Sequence, residues 1–236
     1  MKVRVKFAKT GAMKFIGHLD IMRYFQKAIR RSNIDIAYSE GYSPHMIMSF
    51  AAPLGVGVTS DGEYFDMELR TTESSKVMEG CMNEVMAEGM RIESIRQIPE
   101  EKASNAMALV SAADYLVTFR EGKELPEGWE NRIADFLAQD QIICKKPTKK
   151  GEMKEVDIRP WIYQMEVQGG GIFLQLSSGS VRNLKPEMVM GALASFMDTV
   201  LDEFALMIHR LEIYADLGDE TSRKLVSLKD LGEEIE

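Results

Sequence analysis

Apolar residues recur with a period of two in some segments of the chain and with a period near 3.6 in others, and the two kinds of segment alternate. Residues 2–7 place Val3, Val5 and Phe7 on one side, as expected for a half-buried strand. Residues 18–32 repeat apolar side chains at helical spacing. The later segments continue the alternation, with strands predicted over 34–38, 63–69 and 91–98 and a helix over 73–89. The element order of the first half is therefore β-α-β-β-α-β.

The second half has a similar order of elements. The pattern predicts strands over 114–120, 141–146 and 206–214, a hairpin across 158–177, and helices over 126–138 and 186–201. We therefore expect an α+β fold of two tandem ferredoxin-like (βαββαβ) lobes with antiparallel sheets. The expected parts are an N-terminal lobe at 2–98, a C-terminal lobe at 110–214, and a charged, frayed tail at 215–236.

The net charge of −8 conceals a local excess of positive charge. Residues 1–60 hold nine Lys and Arg against three Asp and Glu, a net charge of +6. The other 20 basic and 34 acidic residues give the remainder of the chain a net charge of −14. A basic segment in an acidic protein favours local binding of anions such as phosphate or RNA, and internal ion pairing is the alternative.

The candidates for chemistry lie on the first helix and in the loop after it. Asp20 and Arg23 are three residues apart on the helix, so their side chains can meet, and further basic residues follow on the same face. Such a stripe can hold a phosphate beside a proton donor, or it can be a solvated helix face. The candidate catalytic residues are His18, His45 and Asp20. The candidate anion-binding or nucleic-acid-binding residues are Arg23, Lys27, Arg30, Arg31, Tyr38, Ser39, Tyr42, Ser43 and His45.

The remaining sequence features exclude several classes of protein. No apolar run reaches the ~18 residues that a membrane helix needs, and the N-terminal residues alternate charged and apolar side chains, unlike a signal peptide. Cys81 and Cys144 are far apart and lack the spacing of metal ligands. We therefore expect a cytoplasmic protein with no membrane association, no metal site and no cofactor in this chain.

Several stretches of the sequence resemble the signature of the radical-SAM-linked protein family, a bacterial-type family whose domain occurs alone or fused behind a radical SAM enzyme. We call residues 15–20 the first motif segment and residues 49–57 the second motif segment. Tyr42 and Ser43 stand where the signature has Phe and Asn. The stretches that carry the resemblance are 15–20, 28–31, 38–45, 49–57, 156–160 and 183–187.

The resemblance implies a radical SAM enzyme as partner and an accessory role. The chain itself lacks a Cys-x-x-x-Cys-x-x-Cys triplet, so it cannot ligate the iron–sulfur cluster. We expect it not to be catalytic by itself, and to bind RNA (tRNA or rRNA) or to present substrate. Aromatic residues Tyr38, Tyr42 and Phe50 would stack on bases, and a basic loop at 145–154 would extend the surface.

Two other functions fit the same residues. One is a metal-independent endoribonuclease of tandem ferredoxin-like fold, in which His18 or His45 is the general base and Arg23 or Lys27 stabilises the transition state. The other is a pure protein–protein adaptor that docks through residues 39–57.

Overall fold

The structure is a computed structural model that describes residues 1–147, 151, 153–219 and 222–236. The chain packs as two units. The first unit comprises Met1–Ala112 and Arg210–Glu236, and the second comprises Ala113–His209. The return of the last residues to the first unit was not indicated by any sequence pattern.

The described residues form an α+β fold whose strand pairings are mostly antiparallel. The strands are β1 (Lys2–Lys9), β2 (Met48–Phe50), β3 (Thr59–Glu68), β4 (Met90–Ile98), β5 (Val110–Phe119), β6 (Ile143–Pro147), β7 (Met153–Asp157), β8 (Ile162–Gln168), β9 (Gly171–Ser177), β10 (Leu206–Asp216) and β11 (Leu225–Ser227). The helices are α1 (His18–Arg31), α2 (Ser75–Asn83), α3 (Ala106–Leu109), α4 (Ile133–Leu137) and α5 (Pro186–Phe196).

The sheet of the first unit has the strand order β4-β1-β3-β10. Strand β1 is antiparallel to both β3 and β4, the short β2 is antiparallel to β3, and β11 is antiparallel to β10. Helix α1 lies in the connection from β1 to β2, and α2 lies between β3 and β4. The strand between α1 and β3 is therefore β2 at Met48–Phe50 and not the segment expected over 34–38.

Four phenylalanines form the centre of the core on one face of this sheet. The ring of Phe25, on the apolar face of α1, lies 4.7 Å from the rings of both Phe7 and Phe65, centroid to centroid. The Phe50 ring lies 5.2 Å from Phe65. All four side chains are buried, so α1 is held to the sheet by aromatic packing.

Ion pairs occupy the opposite face of the same sheet. Arg4 makes a bidentate pair with Asp66, at 2.8 and 3.1 Å, and its third nitrogen donates to the carbonyl oxygen of Leu228 at 3.2 Å. Lys6 Nζ lies 2.7 Å from a carboxylate oxygen of Glu212. Arg4 is 2% exposed, whereas Lys6 on the same side of β1 is partly buried.

A buried tyrosine completes this ionic layer. The Tyr64 hydroxyl donates to the Glu212 carboxylate at 2.6 Å and lies 3.1 Å from the Ser227 hydroxyl. Burial, and then the charge of Glu212, raise the pKa of Tyr64.

The C-terminal residues cover this side of the unit. Leu228 is fully buried. The backbones of Gln97 and Glu233 exchange hydrogen bonds at 2.8 and 2.9 Å, and the Ser75 backbone N–H donates to the carbonyl oxygen of Ile235 at 2.9 Å. The expectation of a frayed tail from 215 is therefore wrong over 225–235, because these residues pair with strands and bury a leucine.

In the second unit the strand order is β5-β9-β8. Strands β8 and β9 form an antiparallel hairpin whose turn includes Gly169 and Gly170, both with positive φ. Strands β6 and β7 form a separate antiparallel ribbon. Helix α4 is short and follows a 3-10 turn at Trp129–Arg132.

The α+β class with mainly antiparallel pairing is confirmed, whereas the two tandem ferredoxin-like lobes are not confirmed. Several helices are shorter than predicted: α2 ends at Asn83 rather than 89, and the helix expected over 126–138 has only one short α-helical segment. The strand expected over 34–38 is reduced to isolated bridges at Ile36 and Tyr38. Within the described ranges, no helix has both the length and the apolar character to cross a membrane.

Candidate functional site

The two motif segments lie against each other in the first unit although about 30 residues separate them. The backbone N–H of Gly57 donates to the carbonyl oxygen of Lys14, the residue before the first motif segment, at 2.8 Å. The rings of His18 and Phe50 pack edge to face with centroids 5.3 Å apart. The two motif segments are therefore in direct contact.

A buried cluster of charges holds the two segments in place. Arg210 Nε donates to the Glu63 carboxylate at 2.7 Å, and Arg210 Nη2 donates to the Ala52 carbonyl oxygen at 3.0 Å. Lys9 Nζ donates to the Ile16 carbonyl oxygen at 2.9 Å. One cation therefore binds each motif segment by its backbone, and all three charged side chains are buried.

The burial of Lys9 affects its pKa. Desolvation lowers the pKa of Lys9; the nearby charge of Glu63 opposes that shift and the charge of Arg210 adds to it. Because the Glu63 carboxylate pairs with Arg210 and its charge also favours the charged form of Lys9, it compensates part of the cost of burying the two cations.

The space beside this cluster is small. A cavity of about 10 Å³, lined by Lys9, His18, Phe50 and Glu63 among others, has room for about one water molecule. In this conformation the cluster serves as an anchor of the motif segments and not as a binding pocket.

The basic residues predicted on the first helix share one exposed face. Residues Ile21, Phe25, Ala28 and Ile29 of α1 are buried, which turns the opposite side to solvent. Arg23, Lys27, Arg30 and Arg31 lie there, and all four are exposed.

The single ion pair that these four residues make in the described part of the chain joins Arg23 to Asp20. The distance is 3.2 Å, and the two side chains are 71% and 65% exposed. Solvent screening makes such a pair weak, so the cationic face remains available to an external anion.

The loop after α1 is closed by a histidine and a serine. Ser39 Oγ lies 2.8 Å from His45 Nδ1 and accepts the His45 backbone N–H at 3.1 Å, and the Ser39 backbone N–H donates to the His45 carbonyl oxygen. Tyr38 pairs with Met46 as a backbone bridge at the base. Tyr42, at the tip, is fully exposed.

The candidate catalytic residues are not assembled into one constellation. His18 packs on Phe50, His45 binds Ser39, and Asp20 pairs with Arg23. Among the residues that the structure describes, no group of three or more His, Cys, Asp or Glu side chains is placed to hold a metal ion.

The structure changes the aromatic part of the prediction. Phe50 is 7% exposed and belongs to the core, so it offers no surface for a base; Tyr42 and Ser43 are exposed at the loop tip, and Tyr38 is partly exposed. In the predicted basic loop at 145–154, residues 148–150 and 152 lie outside the described residues.

Sequence reasoning missed two sets of residues. The first is the anchor formed by Lys9, Glu63 and Arg210, whose only signal was a lone charge in an otherwise strand-like segment. The second is a group of exposed apolar side chains in the motif segments: Phe15, Leu19 and Val56 are 64%, 67% and 64% exposed. In the sequence, each of these residues is an apolar residue in a segment predicted as a turn, the start of a helix or a packed loop.

Comparisons with known proteins place the chain in a family but give no activity. Among solved structures it is similar to a chain in the crystal structure of a Cbf5-Nop10-Gar1 complex, with 10% sequence identity, a TM-score of 0.44 and 89% of this chain covered. The aligned region spans 48% of that chain. No curated protein matches. Residues 2–186 match the model of a family described as an uncharacterized protein conserved in bacteria, DUF2344, and the chain therefore belongs to that family.

Proposed function

We propose that this protein is an accessory protein of a radical SAM enzyme that binds RNA, such as tRNA or rRNA, on the exposed face of α1 and presents it as substrate. The observation that carries the proposal is the row of Arg23, Lys27, Arg30 and Arg31, all exposed on one side of a helix that is anchored to the core by its other side.

The geometry of this row suits a phosphate backbone. Arg23 and Arg31 are eight residues apart, about 12 Å along the helix axis at 1.5 Å per residue. That length matches roughly three to four phosphates of one strand at the ~3.4 Å axial spacing of B-form DNA. Arginine and lysine side chains that contact phosphates supply affinity and position without reading the sequence.

The finer fold assignment is also a proposal. The antiparallel order β4-β1-β3 with β2 on β3, and helices in the two connections, supports a ferredoxin-like arrangement for the first unit. In RNA-binding modules of the RRM type, bases stack on the open face of such a sheet. Here the ionic layer and the 3-10 turn at Leu228–Leu231 cover that face, which favours the helical side as the RNA surface.

The radical SAM partner is proposed from the resemblance of the motif segments to the radical-SAM-linked proteins. The sequence holds two cysteines, Cys81 and Cys144, so the three thiolates of a radical SAM cluster would have to come from the partner. A cytoplasmic location is part of the same proposal.

The test compares two charge-reversal variants of equal net charge. The first replaces Arg23, Lys27, Arg30 and Arg31 by Glu. The second, a control on the same unit, replaces four other exposed basic residues by Glu: Arg70, Lys76, Arg91 and Lys102. Binding of fluorescent tRNA is measured by anisotropy over a range of salt concentrations.

For the wild type we expect the logarithm of the association constant to fall with the logarithm of salt concentration with a slope of about −3, as for four phosphate contacts. The α1 variant should lose both the binding and the slope, and the control variant should keep both. Equal binding by the two variants would show that the α1 face is not the RNA surface.

The endoribonuclease alternative has weaker support. The His45 Nδ1 atom is engaged by Ser39, and the His18 ring is packed against Phe50. Incubation of labelled RNA with the pure protein decides between the two functions: cleavage that disappears in His18→Ala or His45→Ala would favour the nuclease.

A further inference from the structure

We infer that the exposed apolar residues of the two motif segments form a docking patch for a protein partner, in which an apolar segment flanked by carboxylates packs on Phe15, Leu19 and Val56. This inference does not depend on RNA binding, because it rests on different side chains from the cationic face of α1.

The three side chains project from two segments that contact each other. A Cβ atom placed on Gly17 would lie 4.0 Å from a Val56 methyl group, and Gly17 is midway in sequence between Phe15 and Leu19. Each of the three is about two-thirds exposed. Single exposed apolar residues are ordinary, whereas a group of them in adjoining segments is typical of an interaction site.

The patch stands on a fixed backbone. Lys9 holds the Ile16 carbonyl, next to Phe15, and Arg210 holds the Ala52 carbonyl in the segment that carries Val56. Exposure of these side chains is therefore a property of an anchored surface. A preformed surface loses little conformational entropy when a partner binds, which raises affinity.

The charges around the patch indicate the chemistry of the partner. Lys14 precedes Phe15, and α1 continues from Leu19 into a face with Arg23 and Lys27. Asp20, the acid beside Leu19, is paired with Arg23, whereas Lys14 and Lys27 make no ion pair within the described residues. Carboxylates on either side of an apolar segment would complement these cations and would speed the encounter of the two proteins.

A protein fits this patch better than a nucleic acid does. Lys14 Nζ lies 5.2 Å from the Phe15 ring centroid, so an ammonium group already occupies one face of the single aromatic ring. Bases stack on open aromatic faces, and the other two residues, Leu19 and Val56, are aliphatic. Apolar side chains of a protein pack against such residues directly.

The first experiment places the photo-crosslinking amino acid p-benzoylphenylalanine at position 19 or 56 in living bacterial cells. Position 77 is the control, because Val77 is exposed and lies in the first turn of α2, as Leu19 does in α1. We expect a nuclease-resistant adduct with one protein at positions 19 and 56 and not at 77. Mass spectrometry should map the adduct to an apolar segment with Asp or Glu on its flanks.

The second experiment purifies that protein and measures its affinity for three forms of the full chain. Leu19→Glu and Val56→Glu should each weaken binding at least tenfold, and Val77→Glu should leave it unchanged. An acidic residue in the first turn of a helix is favourable, so Leu19→Glu is expected to fold, which circular dichroism checks.

Four results would overturn the inference: an adduct with RNA, an adduct of two copies of this chain, a labelling pattern at 19 and 56 equal to that at 77, or unchanged affinity of both Glu variants. RNA binding is scored in its own assay with the α1 variant. Failure of the docking patch and failure of the RNA proposal are therefore seen separately.

Discussion

Replacement of Arg210 by Met tests the anchor that holds the motif segments. The substitution removes the partner of the Glu63 carboxylate and the donor to the Ala52 carbonyl oxygen, and both charged side chains of the pair are 5% exposed. Loss of one member of a buried ion pair costs about 3–5 kcal/mol, because a charge stays buried without compensation. That is a large fraction of the ~5–15 kcal/mol by which proteins of this kind are stable.

The double variant Arg210→Met, Glu63→Met distinguishes this mechanism from a simple loss of packing. Removal of both charges leaves no unpaired carboxylate, and the opposing effects of Glu63 and Arg210 on Lys9 disappear together. Apolar replacement of a whole buried pair is often neutral, so the double variant should recover most of the lost stability. We expect a coupling energy of about 3 kcal/mol.

The measurement is urea unfolding followed by far-UV circular dichroism, with the free energy of unfolding from linear extrapolation. Arg23→Met is the matched control: its pair with Asp20 is 3.2 Å long but exposed, and we expect a loss below about 0.5 kcal/mol. A loss under ~1 kcal/mol in Arg210→Met, or a double variant as unstable as the sum of the single variants, would refute the reasoning.

Three further predictions use the same unfolding assay. Gly89→Ala should destabilise the protein by more than about 1 kcal/mol, because Gly89 has φ +85° and an added Cβ would lie 2.6 Å from the Thr10 carbonyl oxygen. Gly80→Ala should stabilise the protein by about 0.5–1 kcal/mol, because Gly80 lies on α2 with no atom within 4 Å of an added Cβ. A change of stability in the same direction for both variants would contradict this account. Leu228→Ala should cost about 2–4 kcal/mol because the side chain is fully buried; a loss below 1 kcal/mol would mean that the C-terminal residues are not packed as described. Burial and a neighbouring carboxylate raise the pKa of Tyr64, so its contribution to stability is fully present below the ordinary tyrosine pKa of about 10 and is lost as the pH rises above it. Between pH 9 and pH 11 the wild type should therefore lose about 1.4 kcal/mol more than Tyr64→Phe, and equal losses would contradict the shift.

Local periodicity in the sequence was sufficient for the elements whose pattern is strong. Helix α1 was expected over 18–32 and runs from His18 to Arg31, because its apolar residues all fall on one side. Strand β1 was expected from Val3, Val5 and Phe7, which are indeed buried. The exposed basic face of α1 follows from the same spacing, so this part of the candidate site was visible in the sequence.

Ion pairs between residues that are far apart in the chain could not be predicted from the sequence. The charges of Arg4 and Lys9 in β1 suggested a side exposed to solvent, yet both side chains are buried. Arg4 pairs with Asp66, and the charge of Glu63 acts on Lys9. Both acids are more than 50 residues away in the chain, so the local sequence did not reveal them. Arg210 is a further 147 residues from Glu63. No local pattern reports such a pair, and for the same reason the packing of the C-terminal residues was missed.

The first unit contains residues from both ends of the chain, Met1–Ala112 and Arg210–Glu236. During synthesis the ribosome therefore releases all of the second unit before the first has its last strands and the Arg210 anchor. Contacts that close a loop of this length form slowly, because the chain loses conformational entropy on closing the loop before the new contacts stabilise it. The docking patch, whose second motif segment is held by Arg210, is thus expected to mature last, so a nascent chain would not engage the partner protein until translation has passed the anchor.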